Sequence, residues 1–169
     1  MTIAPIYIDN TTFLGSLRRG YCSNARICDL VGSEDESLDA IPIEEVASWS
    51  SHVNYCGATN DVRQYIEKCH VYVLPSYHEG LPRSTLEAMS MGRPVITTNA
   101  VGCKETVNDG ANGFMVPVGS ITKLAEKMVW FIENKDKIQK MGDESRRIIE
   151  DKFDVRKVNK EMLRILDIK

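Results

Sequence analysis

Residues Val71 to Thr98 read V-Y-V-L-P-S-Y-H-E-G-L-P-R-S-T-L-E-A-M-S-M-G-R-P-V-I-T-T. The block Val71 to Leu74 has no polar interruption, which is the pattern of a strand covered on both faces of a sheet. A turn rich in proline and glycine follows. From about Pro82 to Met91 the apolar residues then recur three or four apart, as on one side of a helix. Gly92 and Pro94 end that helix, because the glycine accepts the C-terminal backbone conformation and the proline cannot continue the ladder. A second apolar block, Val95 to Thr98, completes a strand-helix-strand unit, and two buried strands joined by a helix pair in parallel.

The same alternation extends outward in both directions. Apolar runs at Ile27 to Val31, Val53 to Cys56 and Phe114 to Val116 join the two central ones, with helical patterns at Ile43 to Trp49 and Asp61 to Lys68 and a short segment at Cys103 to Val107 between them. Val62, Tyr65, Ile66 and Cys69 form the clearest apolar helix face. After Ser120 the period is helical throughout, with one stripe through Ile121, Leu124, Ala125, Met128 and Ile132 and another through Val155, Val158, Met162, Leu163 and Leu166. The expected fold class is therefore α/β: one Rossmann-like, doubly wound parallel sheet with two or three C-terminal helices. The N-terminus fits this scheme poorly. Ile3 to Ile8 contains Pro5, which argues against a central strand, and residues 11 to 19 read as a short helix around Phe13, Leu14 and Leu17, so the regular first strand is expected to be absent.

Composition narrows the function. The 169 residues are one domain by length, and 21 basic against 24 acidic side chains give a net charge of -3, with no whole-chain field to gather nucleic acid or anionic lipid. Cys22, Cys28, Cys56, Cys69 and Cys103 form no C-x-x-C pair, and the three histidines complete no zinc spacing, so reduced thiols in a cytoplasmic compartment are expected and no metal site is assigned. No stretch has the length of a membrane span.

In an open parallel sheet, ligands bind beyond the C-terminal ends of the strands, which selects the loops Gly32 to Ala40, Gly57 to Asn60, Pro75 to Leu81, Asn99 to Gly102 and Pro117 to Ser120. The third carries Tyr77, His78, Glu79 and Arg83 around a glycine and two prolines, and the helix after it presents free N–H groups to a phosphate. A plain structural turn fits the same residues. Glu87 has two readings as well. With Ser84 as N-cap, S-T-L-E is a capping box; with the helix starting at Pro82, the Glu87 carboxylate lies over the crevice, where it can accept two ribose hydroxyls.

The quoted stretch resembles the pattern F/V-x-L-P-S-x-x-E-G-x-P-x-x-x-L-E-A-M-x-x-G-x-P-V-I-x-T of the nucleotide-binding half of retaining GT-B-fold glycosyltransferases in the large family four. The likeness continues through N-A-V-G-C-K-E-T-V-N-D-G-A-N-G-F-M-V-P, Asn99 to Pro117, and upstream through A-R-I-C-D-L-V-G and Y-C-G-A-T-N-D-V. It covers roughly residues 11 to 166.

The resemblance implies that Glu79 and Glu87 are the paired glutamates of the E-x7-E motif, with Glu79 beside the donor sugar and leaving diphosphate, as the catalytic carboxylate, and Glu87 on the ribose hydroxyls. It places the backbone of Gly80 and Leu81 against the diphosphate and sugar, Gly57 and Ala58 beside the base, and Val101 and Gly102 over the sugar. Arg83 is a further donor-side candidate, while His78 reads better as a rim residue, Glu105 equally as a loop-ordering residue or a ligand contact, and Asp61 as a helix cap. The family opens this half with an apolar strand and a basic G-R/G-x-x-x-x-K-G loop, whereas this chain has no arginine or lysine before Arg18. Residues 1–169 are therefore expected to be a donor domain truncated at its N-terminus, with the acceptor-binding domain absent. The implied ligand is a nucleotide-diphosphate sugar, with UDP favoured and no cofactor. The implied acceptor is a glycan or polyprenyl-linked saccharide of capsule or lipopolysaccharide type, met at the cytoplasmic membrane face through the absent domain. A non-catalytic sugar-nucleotide-binding module, or a fragment of a nonhydrolysing sugar-nucleotide epimerase, is the alternative.

Overall fold

The computed structural model describes residues 6–8, 28–32, 45, 48 and 53–166. All five expected strands are present: β2 (Cys28–Leu30), β3 (Val53–Tyr55), β4 (Val71–Leu74), β5 (Val95–Thr98) and β6 (Gly113–Val116), preceded by β1 (Ile6–Ile8). The helices are α1 (Arg63–Lys68), α2 (Arg83–Ser90), α3 (Ile121–Glu133), α4 (Asp136–Lys152) and α5 (Val155–Ile165), with a 3-10 turn at Cys103–Glu105. Of the helix expected over Ile43 to Trp49, Glu45 and Ser48 are described, and both are helical. The short helix expected over 11–19, Pro5, Arg18 and most of the Gly32 to Ala40 loop lie outside the described residues.

The sheet order is β3-β2-β1-β4-β5-β6. β2 pairs in parallel with β3, and β4, β5 and β6 are mutually parallel, in register Tyr72↔Val95 and Val95↔Gly113. β1 fills the first-strand position, which corrects the argument from Pro5 against a central strand, but it replaces the regular parallel strand only imperfectly, as the N-terminal pattern implies. β1 lies between β2 and β4 and runs antiparallel to both, with Tyr7 opposite Asp29 and Tyr72. The five expected strands therefore all point one way, and β1 is the exception.

Covering of both faces explains the unbroken apolar runs, because alternate residues of one strand point to opposite layers. Tyr72 and Leu74 of β4 belong to a core with Ile66 and Cys69 at the end of α1, Ala88 and Met89 of α2 and Ile148 of α4. Val71 and Val73 face the other layer, with Ile96, Phe114, Val116, Phe131 and Met141. Val62 and Tyr65 pack against the first core as the sequence implied. The stripe expected on α3 is rotated: Phe131 is buried in an edge-to-face group with Phe114 and Trp130, Leu124 and Met128 pack beside it, and Ile121 and Ala125 are exposed. The stripe on α5 exists as a pattern, but no residue of that helix is buried.

Two tight contacts and one polar knot fix the C-terminal half. A Cβ on Gly142 would stand 2.1 Å from the Gly92 carbonyl oxygen, so α4 crosses the end of α2 with backbone nearly against backbone. A Cβ on Gly113 would stand 1.8 Å from the Val95 oxygen. Buried Asn112 donates to the Thr106 carbonyl at 3.2 Å and the Ser145 hydroxyl at 3.3 Å and accepts from Asn108 N at 2.7 Å, tying the turn before β6 to α4.

Candidate functional site

The C-terminal ends of β4 and β5 build the centre of the site. Thr97 Oγ1 donates to the Leu74 carbonyl at 2.9 Å, Thr98 Oγ1 to the Ser76 carbonyl, and Ser76 Oγ to the His78 carbonyl at 3.1 Å, so buried hydroxyls replace the sheet ladder where the chain leaves it. Glu79 N–H then donates to the Val101 carbonyl at 3.2 Å, joining this loop to the next. Gly102 has φ 80°, and a Cβ built there would lie 2.0 Å from the Gly80 oxygen and 2.3 Å from the Glu79 oxygen. Only glycine permits both that dihedral and that approach. Glu79, Gly80, Val101 and Gly102 are thus brought together. Gly80 has nothing within 4 Å of a built Cβ, and Leu81 is exposed beside it.

The helix geometry settles one open question. Pro82 is the N-cap of α2, with φ -70° and ψ 106°, and no side chain caps the helix. Thr85 N donates the first intrahelical bond to Pro82 O at 3.1 Å, so the N–H groups of Arg83 and Ser84 precede it. Ser84 is inside the helix and accepts from the Tyr72 hydroxyl at 2.6 Å. The capping box is therefore not formed, and Glu87 sits one turn into α2. Burial, reinforced by the negative fields of Glu79 and Glu87, pushes the Tyr72 phenol up despite its hydroxyl partners, so at neutral pH it is an uncharged donor beneath the helix start. Thr85 Oγ1 is buried near the same phenol and makes no hydrogen bond of regular geometry.

Glu87 lies on an open groove of about 470 Å3 with Asn60, Asp61, Val62, Arg63, Ser90 and Met91. The near wall is the start of α1. Thr59 Oγ1 accepts Asp61 N–H at 3.1 Å, and Asp61 Oδ1 accepts Arg63 N–H at 3.0 Å. The Arg63 guanidinium takes both oxygens of Asp61, at 2.8 and 2.7 Å, and holds that carboxyl down at about 2. Val62, not Asp61, is the N-cap of α1, which corrects the expected cap; Asp61, one residue earlier, still accepts the Arg63 N–H and also holds the Arg63 guanidinium. Gly57 has φ 70°, its carbonyl accepts Gly32 N–H at 3.0 Å, and Ala58 beside it is exposed. Arg83, His78 and Glu105 are exposed, and none makes an ion pair among the described residues. No group of three or more His, Cys, Asp or Glu among the described residues is placed to hold a metal ion.

The sequence and fold of the chain have known relatives. The family model for glycosyl transferases group 1 matches residues 15–134. The chain belongs to that family. An N,N'-diacetylbacillosaminyl-diphospho-undecaprenol alpha-1,3-N-acetylgalactosaminyltransferase of Campylobacter jejuni is 32% identical over 106 residues, 63% of this chain and 28% of that protein. HepE of Anabaena, solved with UDP, superimposes with a TM-score of 0.69 at 26% identity, covering 74% of this chain and 35% of HepE. Its complex with UDP-glucose gives a TM-score of 0.65 at the same identity and coverage. Sucrose-phosphate synthase of Thermosynechococcus elongatus shares the fold, with a TM-score of 0.73 at 23% identity over 82% of this chain and 37% of that one. The chain spans about a third or less of the length of the curated relatives it matches, 28%, 33% and 26% for three of them. Among the described residues of this group 1 chain, no helix is long and apolar enough to cross a membrane.

Proposed function

We propose that the chain is the donor half of a retaining glycosyltransferase and binds a nucleotide-diphosphate sugar, a UDP-sugar in the favoured case. The observation that carries this is the uncapped Glu87. Its carboxylate is not spent on the helix start, and Glu87 lines a groove between the start of α1 and the body of α2, where it accepts the two hydroxyls of a ribose. Gly57 and Ala58 then line the base, and the N–H groups at Gly80, Leu81 and the first turn of α2 face the diphosphate, with Arg83 adding charge at the rim. Glu79 lies beside the sugar, and the Val101–Gly102 turn closes over it.

In the transfer step the acceptor oxygen bonds to the anomeric carbon as the bond to the diphosphate breaks, the hydroxyl proton passing to the departing diphosphate oxygen, with configuration retained. The rate comes from positioning and from stabilising charge on the departing diphosphate. The Campylobacter jejuni relative is named for a diphospho-undecaprenol-linked acceptor and HepE was solved with UDP and UDP-glucose, which supports a UDP-sugar donor and a polyprenyl-linked or glycan acceptor. The acceptor would be held by a second domain.

Calorimetric titration with UDP tests the reading. Glu87→Gln keeps the shape and one acceptor but removes the charge, so affinity is expected to fall about tenfold with the melting temperature unchanged. Unchanged affinity with a lowered melting temperature would return Glu87 to a structural role.

A further inference from the structure

Arg63 is a cation on the wall of the groove that contains Glu87, and its side chain is 75% exposed. Nothing packs it in place. It is held by Asp61 alone among the described residues, through the two-pronged contact at 2.8 and 2.7 Å. Asp61 is itself clamped: Thr59 Oγ1 accepts its N–H at 3.1 Å and donates to its carbonyl at 3.0 Å, and Gln64 Nε2 reaches the same carbonyl at 3.3 Å. The Asp61 backbone is thus held at the groove edge, and its carboxylate carries the guanidinium.

We propose that Asp61 is a positioning residue for nucleotide binding: by occupying Arg63 it keeps that guanidinium off Glu87, across the same groove. The proposal rests on the reading of Glu87 as the ribose acceptor. A guanidinium fork and a ribose diol compete for the same two carboxylate oxygens, since each binds them in a two-pronged fashion. The hydrogen bond and charge of Asp61 hold the Arg63 proton first, and the field of Glu87 adds a smaller push in the same direction. Once Asp61 is neutral, Glu87 is the carboxylate on the groove that Arg63 can turn to.

This makes a prediction opposite in sign to a simple charge effect. Asp61→Asn makes the protein more positive, which by itself would tighten binding of an anionic diphosphate. Occlusion of Glu87 weakens it instead. Asparagine keeps an oxygen for the Arg63 N–H, so the start of α1 is preserved. Calorimetry of the chain with UDP and with uridine, for Asp61→Asn, Arg63→Gln, the double variant and Glu87→Gln, reads the outcome. Asp61→Asn is expected to weaken both ligands about two- to fivefold, the scale of an exposed ion pair, with the deficit shrinking at high salt. The double variant is expected to recover the parent affinity. Tighter or unchanged UDP binding by Asp61→Asn, no recovery in the double variant, or a loss in Arg63→Gln alone would each overturn the proposal. If Glu87→Gln weakens UDP while Asp61→Asn does not, the positioning role falls and the ribose reading stands. If Glu87→Gln has no effect, both fall.

Discussion

The backbone contact between Gly102 and the Glu79–Gly80 turn lets a single added methyl group probe the site. Gly102→Ala must abandon φ 80° or move the Gly80 oxygen that would lie 2.0 Å away, and the dihedral and crowding costs together come to about 2–4 kcal/mol. The variant is expected to melt lower and to lose UDP-glucose binding more than UDP binding, because the displaced turn is the one assigned to the sugar. Gly80→Ala is the control: its φ is ordinary and its surroundings are empty, so the melting curve is expected to stay within about 0.5 kcal/mol of the parent. Equal melting temperatures for Gly102→Ala and the parent would show that the two loops are not held together. The turn that brings Glu79, Gly80, Val101 and Gly102 together was legible because its loops are named by local stretches of sequence, whereas residue order alone left Glu87 between a cap and a ligand. Arg63 and Tyr72 were not legible. One is brought to Glu87 by the packing of α1 beside α2, and the other lies under Ser84 through the pairing of β4 with its helix.

Among the elements, the strands were readable because β4 and β5 are buried along their whole length, which leaves a continuous apolar signature, whereas the direction of β1 was not. Three residues between flanking strands carry no local mark of polarity, and their antiparallel pairing is set by neighbours distant in sequence. The burial of Gly142 against Gly92 was equally invisible, since a glycine in a helical pattern reads only as a weak propensity. Gly142→Ala would raise intrinsic helix propensity yet is expected to destabilise by about 1–3 kcal/mol, because the added carbon meets a backbone oxygen that cannot swing aside. A melting temperature equal to or above the parent's would refute that packing. Burial in β2 also gives a pH dependence, as it pushes the Cys28 thiol from 9.0 up to about 11. The folded state disfavours the thiolate, so this contribution is complete below about pH 9 and is lost as pH rises towards 11. Urea midpoints between pH 8 and 11 are expected to fall more steeply for the parent than for Cys28→Val, and parallel slopes would count against a buried thiol.

For the whole molecule, the sheet presents its strand ends to an open side. Tyr77, Leu81 and Val101 stand at that rim with 51%, 45% and 62% of their surface exposed, and apolar side chains grouped around a polar crevice are suited to being covered. The apolar side of α5, through Val155, Val158, Met162 and Leu166, is likewise without a buried member. Transfer requires the acceptor hydroxyl to be held at the anomeric carbon and water to be kept from it, and the proposed reading assigns both to a second domain. Donor recognition needs less: on the proposed reading it falls to Glu87, the α2 N-terminus and the loops at Gly57 and Gly80. The 169-residue chain by itself is therefore expected to bind UDP and UDP-glucose but to produce no glycan from nucleotide sugars and polyprenyl-diphosphate-linked saccharides, as read by mass spectrometry of the lipid fraction. Enzyme-dependent extension of the saccharide would mean that the acceptor is positioned by these same residues, and would overturn the division of the reaction between two domains.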